Sequence, residues 1–324
     1  MNKILLKKLR RLHRKADNVF WQMNQSLRQW QLRCLSEDRK REIKRTLTED
    51  SFTPVPGCLL TISFGSRQLG NRDNLLEQFC RSFLQMTADP KRVEIILKID
   101  EDDDLIFFYD IKNWYKGKIN LRFIVSPRGR GYADMHIWHA NAFKWRSPSS
   151  LALFILTEDA EFCYKNWDTK LISMIKARPH HLFIGAPCPL EEAMRMVGPN
   201  PVKPVPVYWL VGAEFPIIGM DLLKCTQRVA DRYPGWTCYG NLLLIDSFSG
   251  DMLRGLWNRH KTNLNMEVPF FVRRKGVFSW TDSQERSSVR NNTLLEFFKE
   301  ENQKIRDEMV DEIYHTVSNL MSVV

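Results

Sequence analysis

Four short apolar runs, rich in β-branched and aromatic residues, start at Cys58 (CLLTISF), Val93 (VEIILKI), Ile119 (INLRFIV) and Leu151 (LALFILT). Their starts lie 35, 26 and 32 residues apart, and amphipathic stretches fill the gaps. Leu75, Leu76, Phe79, Phe83 and Met86 mark an apolar helical face in the first gap. Tyr132, Met135, Trp138, Ala142 and Trp145 mark one in the third. A strand covered on both sides reads as a continuous apolar run, and joining parallel strands takes a crossover of roughly a dozen residues or more. The alternation therefore predicts an α/β fold, a Rossmann-type, mostly parallel sheet flanked by helices. Such sheets bind ligands beyond the carboxyl ends of their strands, so chemistry is sought in the residues that follow each run.

The flanks of this domain differ from it. Leu5, Leu9, Leu12, Ala16, Val19, Met23, Leu27 and Trp30 recur at spacings of four and three, which predicts one long helix over about residues 2–46. Residues 1–50 hold fourteen Lys/Arg and six Asp/Glu, so this appendage carries most of the chain's formal charge of +10. Two readings stand: a helix packed on the body or in a coiled coil, with a solvated basic face, or an arm that meets a polyanion or a membrane surface through residues 3–15. Pro54, Pro56 and Gly57 end the appendage. An α/β domain is expected over 57–275 and a C-terminal helix over 288–324, with Leu295, Phe298, Ile305, Met309, Ile313, Val317 and Leu320 on one face. After about residue 187 the pattern loosens into strands at Val205–Val211, Asn241–Ser247 and Val268–Arg273 and helices near 220–230 and 250–259. No apolar run approaches the roughly 18 residues of a membrane span. The seven scattered cysteines include no CxxC pair, which argues against a disulfide framework and a cysteine zinc site. A cytoplasmic location is expected, peripheral at a membrane face if the arm binds one.

The second run leads straight into Asp100-Glu101-Asp102-Asp103-Asp104, and the fourth into Glu158-Asp159-Ala160-Glu161. Carboxylates gathered at one sheet edge repel unless protonated, paired or bridged by a cation. A hard ion such as Mg²⁺ or Mn²⁺ takes oxygen ligands, often one or two carboxylates plus substrate phosphates. The plainer alternatives are helix N-terminal acids at 102–104 and a solvated turn at 158–161. Between the clusters, Arg128-Gly129-Arg130-Gly131 precedes a helix, where glycine, free backbone N–H groups and arginine could hold a diphosphate. Glycine/arginine turns also end strands for steric reasons. Ser63 and Arg67, at the end of the first run, are further candidate contacts.

The stretch LLTISFGSRQLGNRDNLLEQFCRSFLQMTADPKRVEIILKIDEDDD, with GRGYADMHIWHANAF and FILTEDAEFCYKNWD after it, resembles family-2-type glycosyltransferases of the GT-A fold. The resemblance covers roughly residues 58–260. It implies a nucleotide-sugar half over 57–165 and an acceptor half over 166–275. It also implies nucleoside contacts from Asp100 and Asp102, and a Mn²⁺ or Mg²⁺ held by Asp159 with Glu158 or Glu161. The metal motif departs from the family pattern, reading Glu-Asp-Ala-Glu in place of Asp-x-Asp.

The implied activity is transfer of a sugar from a nucleotide diphosphate donor to an acceptor hydroxyl on a glycan, a lipid-linked molecule or nucleic acid. An inverting reaction needs a carboxylate base. Asp246 is favoured because it closes a predicted strand, with Asp251 and Glu214 as alternatives. His136 and His139, three apart on a helix, have no third ligand at metal spacing, the resemblance implies His260 as an additional metal ligand, and Trp209 and Trp236 are candidate sugar contacts. Two other functions fit the same features. A nucleotidyltransferase also uses such acids, although the glycine-rich, lysine-bearing loop expected after its first strand is missing. A non-catalytic GT-A-like binding protein would act through the basic helix.

Overall fold

The computed structural model describes residues 35–68, 74–127, 145–177, 202–206, 217–220, 265–269 and 271–274, with single helical positions between 19 and 34 and between 304 and 315. The four apolar runs all form strands, β1 (Leu60–Ser66), β2 (Val93–Asp100), β3 (Asn120–Ser126) and β4 (Ala152–Ile155), while the strand expected at 241–247 lies outside the described residues. They are mutually parallel in the order β3-β2-β1-β4. Five further short strands are described, all in antiparallel pairs. β5 (Ala160–Phe162) pairs with β9 (Val272–Arg274), and β6 (Val202–Pro206) with β8 (Asn265–Pro269). β7 (Ile217–Gly219) closes the main sheet antiparallel to β4. This is an α/β fold built on a mostly parallel, Rossmann-type sheet flanked by helices.

Side chains alternate across a strand, so register separates the two faces. Ile62 lies level with Ile95 and Phe154, and Phe64 with Leu97, while Leu97 faces Phe123. These form one apolar face, packed into a single core with Leu76, Phe79 and Phe83 of α2 (Leu75–Met86) and Phe108 and Ile111 of α3 (Leu105–Tyr115). Phe79 is 1% exposed and contacts the rings of Phe64 and Phe162. Burying each such ring stabilises the fold by about 1.5–3 kcal/mol, so the amphipathic spacing of α2 is what fastens it to the sheet.

The opposite face carries a buried polar cluster. Arg122 donates to Glu94 at 2.7 Å and to the carbonyls of Ser51 (3.1 Å) and Trp145 (2.6 Å). Glu94 also accepts from the Thr61 hydroxyl and the Ser147 backbone N–H. The cluster clamps the segments before β1 and before β4 onto β2 and β3.

The predicted single helix over 2–46 is interrupted. Leu35 and Ser36 leave the helix, and α1 (Glu37–Thr48) starts afresh. Ser36 is extended (φ −62°, ψ 150°), its hydroxyl accepts the Arg39 N–H, and Glu37 and Asp38 fill the first turn. This is an N-cap with acids favourably placed on the helix dipole. α1 buries Ile43 and Leu47 in the core, and Lys112 of α3 donates to the carbonyl of Thr46 and to the Asp50 carboxylate. The helical positions described between 19 and 34 thus precede a break, and the helix after it belongs to the body. β6 also departs from expectation, beginning at Val202 and including Pro204 and Pro206. Its β8 partner occupies one side, and proline is tolerated where the N–H side of a strand is unpaired.

Candidate functional site

Ser66, Asp100 and Ser126 end β1, β2 and β3, and Ile155 ends β4 three residues before Glu158. The carboxyl ends therefore bring both acidic runs to one edge, and the β1 tip joins them. The Ser66 hydroxyl donates to Glu158 Oε2 at 2.6 Å, and the Arg67 backbone N–H donates to the same oxygen at 3.1 Å. The Arg67 guanidinium reaches the other way, to Asp100 Oδ2 at 2.7 Å and to both oxygens of Asp102 at 3.1 and 3.3 Å. One residue holds the ends of β2 and β4 together.

The acids of the first run divide into distinct roles. Asp104 caps α3, accepting the Phe107 N–H at 3.1 Å. Asp103 is buried and accepts from the backbone of Gln68 and Asp104. The helix-start reading therefore holds for Asp104, Asp103 instead ties the β1 tip to the start of α3, and Asp100 and Asp102 are the pair turned onto Arg67. Glu101 points to α1, where Lys44 meets it at 3.2 Å. Lys98 lies two residues before Asp100 on the same face of β2, and pairs with it. Lys98 also donates to the Pro127 carbonyl. Sequence reasoning missed Lys98 and Ser66. The two-residue period of a strand ending in an acid was the available signal for Lys98.

In the second run Asp159 accepts from the Thr157 hydroxyl, within the turn that Ala160 N–H closes on the Thr157 carbonyl. Glu161 sits on β5 opposite Arg273 of β9, which donates to it at 2.5 Å. Burial pushes the Glu158 carboxyl up to about 7, and the charges of Asp159 and Asp103 add to this against the Ser66 and Arg67 hydrogen bonds. Burial acts to lower the Arg67 guanidinium, but Asp102 and Asp100 outweigh it and leave it raised. Around Arg67 and Lys98 stand five carboxylates, those of Asp100, Asp102, Asp103, Glu158 and Asp159. The local field is negative, and it favours an additional cation.

The Asn166-Trp167-Asp168 motif lies away from this edge, against the residues that join the end of α2 to the start of β2. Asn166 adopts a positive φ of 60° and its N–H donates to the Met86 carbonyl. Asp168 is fully buried and accepts the N–H groups of Ala88 and Asp89 at 2.8 and 3.1 Å. Trp167 donates to the Thr87 hydroxyl and stacks on Phe162 with centroids 4.6 Å apart. The start of α4 (Trp167–Ala177) is thereby locked to the end of α2, and β5 with it.

Ser63 lies buried within β1, level with Ile96 and Ile155, and away from the tip. Arg128, Arg130, Gly131, Glu214, Asp246 and Asp251 lie outside the described residues, as do His136, His139, His260, Trp209 and Trp236. No group of three or more His, Cys, Asp or Glu side chains is disposed as a complete metal cage among the described residues.

No protein-family model matches the chain, and no curated protein matches it. Among solved structures it is similar to residues 1–349 of S. aureus TarS. Identity is 13% over 80% of this chain and 71% of that one, with a TM-score of 0.45. The TarS fragment in complex with UDP-GlcNAc gives 11% identity over 80% and 72%, again at 0.45. A 4-diphosphocytidyl-2C-methyl-D-erythritol synthase from Anaerococcus prevotii gives 14% over 72% and 97%, at 0.37. At these scores the likenesses assign no activity to this chain.

Proposed function

We propose that the chain is a GT-A-like glycosyltransferase that takes a sugar from a nucleotide diphosphate donor and passes it to an acceptor hydroxyl. The observation that carries this reading is the meeting of Asp100, Asp102 and Glu158 on Arg67 at the carboxyl edge of the parallel sheet. Mononucleotide-binding sheets place their ligand at that edge. In the proposed arrangement Asp100 and Asp102, oriented by Arg67, accept hydroxyl or base N–H groups of the nucleoside. Asp159, with Glu158 beside it, would hold Mn²⁺ or Mg²⁺ against the diphosphate, where the ion would neutralise charge on the leaving group. Arg128 and Arg130, with the Gly131 backbone, would meet the same phosphates. Asp246 would take the proton of the acceptor hydroxyl in an inverting displacement, with Asp251 and Glu214 as alternatives.

Incubation with labelled nucleotide diphosphate sugars and Mn²⁺, over glycan, lipid-linked and nucleic-acid acceptors, tests the reading. Sugar transfer that Asp159→Ala abolishes is the expected result. No transfer from these donors, but release of pyrophosphate when a nucleoside triphosphate and a sugar phosphate are supplied instead, would make the chain a nucleotidyltransferase. Insensitivity to Asp159→Ala, together with loss of function on removing the charges of Lys7, Lys8, Arg10 and Arg11, would make it a binding module.

A further inference from the structure

Val19, Met23, Leu27 and Trp30 are helical, spaced by four, four and three residues, and 55%, 60%, 53% and 61% exposed. They form one stripe along a helix whose last turn is closed by the Leu35 N–H on the Gln31 carbonyl. After the Ser36 cap the chain changes behaviour, because α1 turns Ile43 and Leu47 into the core. The preceding stripe is left facing water. Four large apolar side chains on one helical face form a contiguous patch, which marks an interaction surface.

Charge indicates what covers it. The stripe continues in sequence through Leu5, Leu9, Leu12 and Ala16, and residues 1–16 contain seven Lys/Arg and no Asp or Glu. A polyanion such as nucleic acid would use the cations through its phosphates but leave Trp30 and its neighbours wet. Parallel pairing of this helix with its equivalent in a second copy would bring two dense runs of like charge together, and antiparallel pairing would leave those runs without an anion. An anionic lipid surface satisfies both halves, since headgroups attract Lys and Arg while aliphatic and aromatic side chains enter the acyl boundary. No helix among the described residues is long and apolar enough to cross a membrane.

We propose that the N-terminal helix lies in the plane of an anionic membrane surface, with the Val19–Met23–Leu27–Trp30 stripe inserted and the preceding Lys/Arg run on the lipid headgroups. This surface is separate from the strand-tip site and stands or falls independently of the catalytic reading.

Flotation of the full chain with vesicles tests it, using phosphatidylcholine alone and phosphatidylcholine with about 30% phosphatidylglycerol. Partitioning should be at least about tenfold stronger on the anionic vesicles, and it should collapse when NaCl rises from about 0.1 M to about 0.5 M. Joint replacement Lys7→Gln, Lys8→Gln, Arg10→Gln and Arg11→Gln should lower it by at least about tenfold. Joint replacement Val19→Ser, Leu27→Ser and Trp30→Ser should lower it by about tenfold at low salt, with the thermal melt unchanged because these side chains are exposed. Three results would overturn the proposal. One is equal partitioning of the unmodified chain onto neutral and anionic vesicles, or none onto either. Another is full binding by the stripe variant, which would reduce the arm to a charge-only polyanion site. The third is stripe-dependent dimerisation in light scattering without flotation, which would make a second copy the occupant.

Discussion

The same sheet carries two arginine–carboxylate clusters, and their surroundings give them opposite meanings. Arg122 and Glu94 sit near the amino ends of β3 and β2 with side chains 2% and 0% exposed, and backbone carbonyls and N–H groups from residues 51, 145 and 147 enclose them. Arg67 sits at the strand tips at 27% exposure, between Asp100 at 11% and Asp102 at 53%. The buried pair is dressed by protein alone and can only brace. The edge cluster holds more carboxylates than cations and opens to solvent, so a ligand can reach its atoms. Burial and charge balance, more than residue type, separate scaffold from site.

The largest effect should come from breaking the brace. Glu94→Ala leaves the Arg122 guanidinium buried without its counter-charge, and removal of one partner from such a pair costs about 3–5 kcal/mol. Urea denaturation should show this as a lowered midpoint at nearly unchanged slope. Arg67→Ala should behave in the opposite way. Its stability loss should stay within about 1 kcal/mol because the ion pairs are partly solvated. Its donor affinity, by calorimetry, should fall by about 10- to 150-fold, corresponding to a hydrogen bond between charged groups of about 1.5–3 kcal/mol. If both variants lose stability equally, the contrast between the clusters is wrong.

Glu158 gives a pH signature to the edge cluster. Its folded value of about 7 lies above the ordinary 4.5, so the folded state holds the proton more tightly. That contribution is fully present below about pH 4.5 and is lost as pH rises through about 7. With chelator present, stability should decline over this window by about 1–2 kcal/mol, a value discounted because part of the side chain reaches solvent. Glu158→Gln should flatten the decline in thermal melts across that range. The smallest effect is expected at Glu161–Arg273, a cross-strand pair whose arginine is 50% exposed. Arg273→Ala should cost less than about 1 kcal/mol, and a larger loss of activity than of stability would bring Glu161 into the site.

The main sheet was legible because fully covered strands are continuous apolar runs, and β2 ends where its run meets Asp100. The convergence of the acidic runs followed from parallel topology alone. The agent of that convergence was not legible, because Arg67 meets Asp100 33 residues away and Glu158 91 residues away, and no local pattern encodes such pairings. The break at Ser36 had a readable signal, a serine followed by two acids, but the apolar spacing on either side masked it. The three-residue strands β5, β7 and β9 are too short to show alternation. Asn166-Trp167-Asp168 reads as part of a functional motif, and structurally it is a brace, since Asp168 is fully buried and each of its oxygens accepts a backbone N–H from the end of α2.

The central claim is that acids at the β2 and β4 tips, gathered by Arg67, grip a nucleotide diphosphate sugar through a divalent cation. A thermal-shift panel of such donors, with and without Mn²⁺, tests it most directly, because a ligand that binds only the folded chain raises its melting temperature. The account predicts a Mn²⁺-dependent rise for at least one donor in the unmodified chain and none in Arg67→Ala or Asp159→Ala. A rise of equal size in those variants, or no rise with any donor, would contradict it.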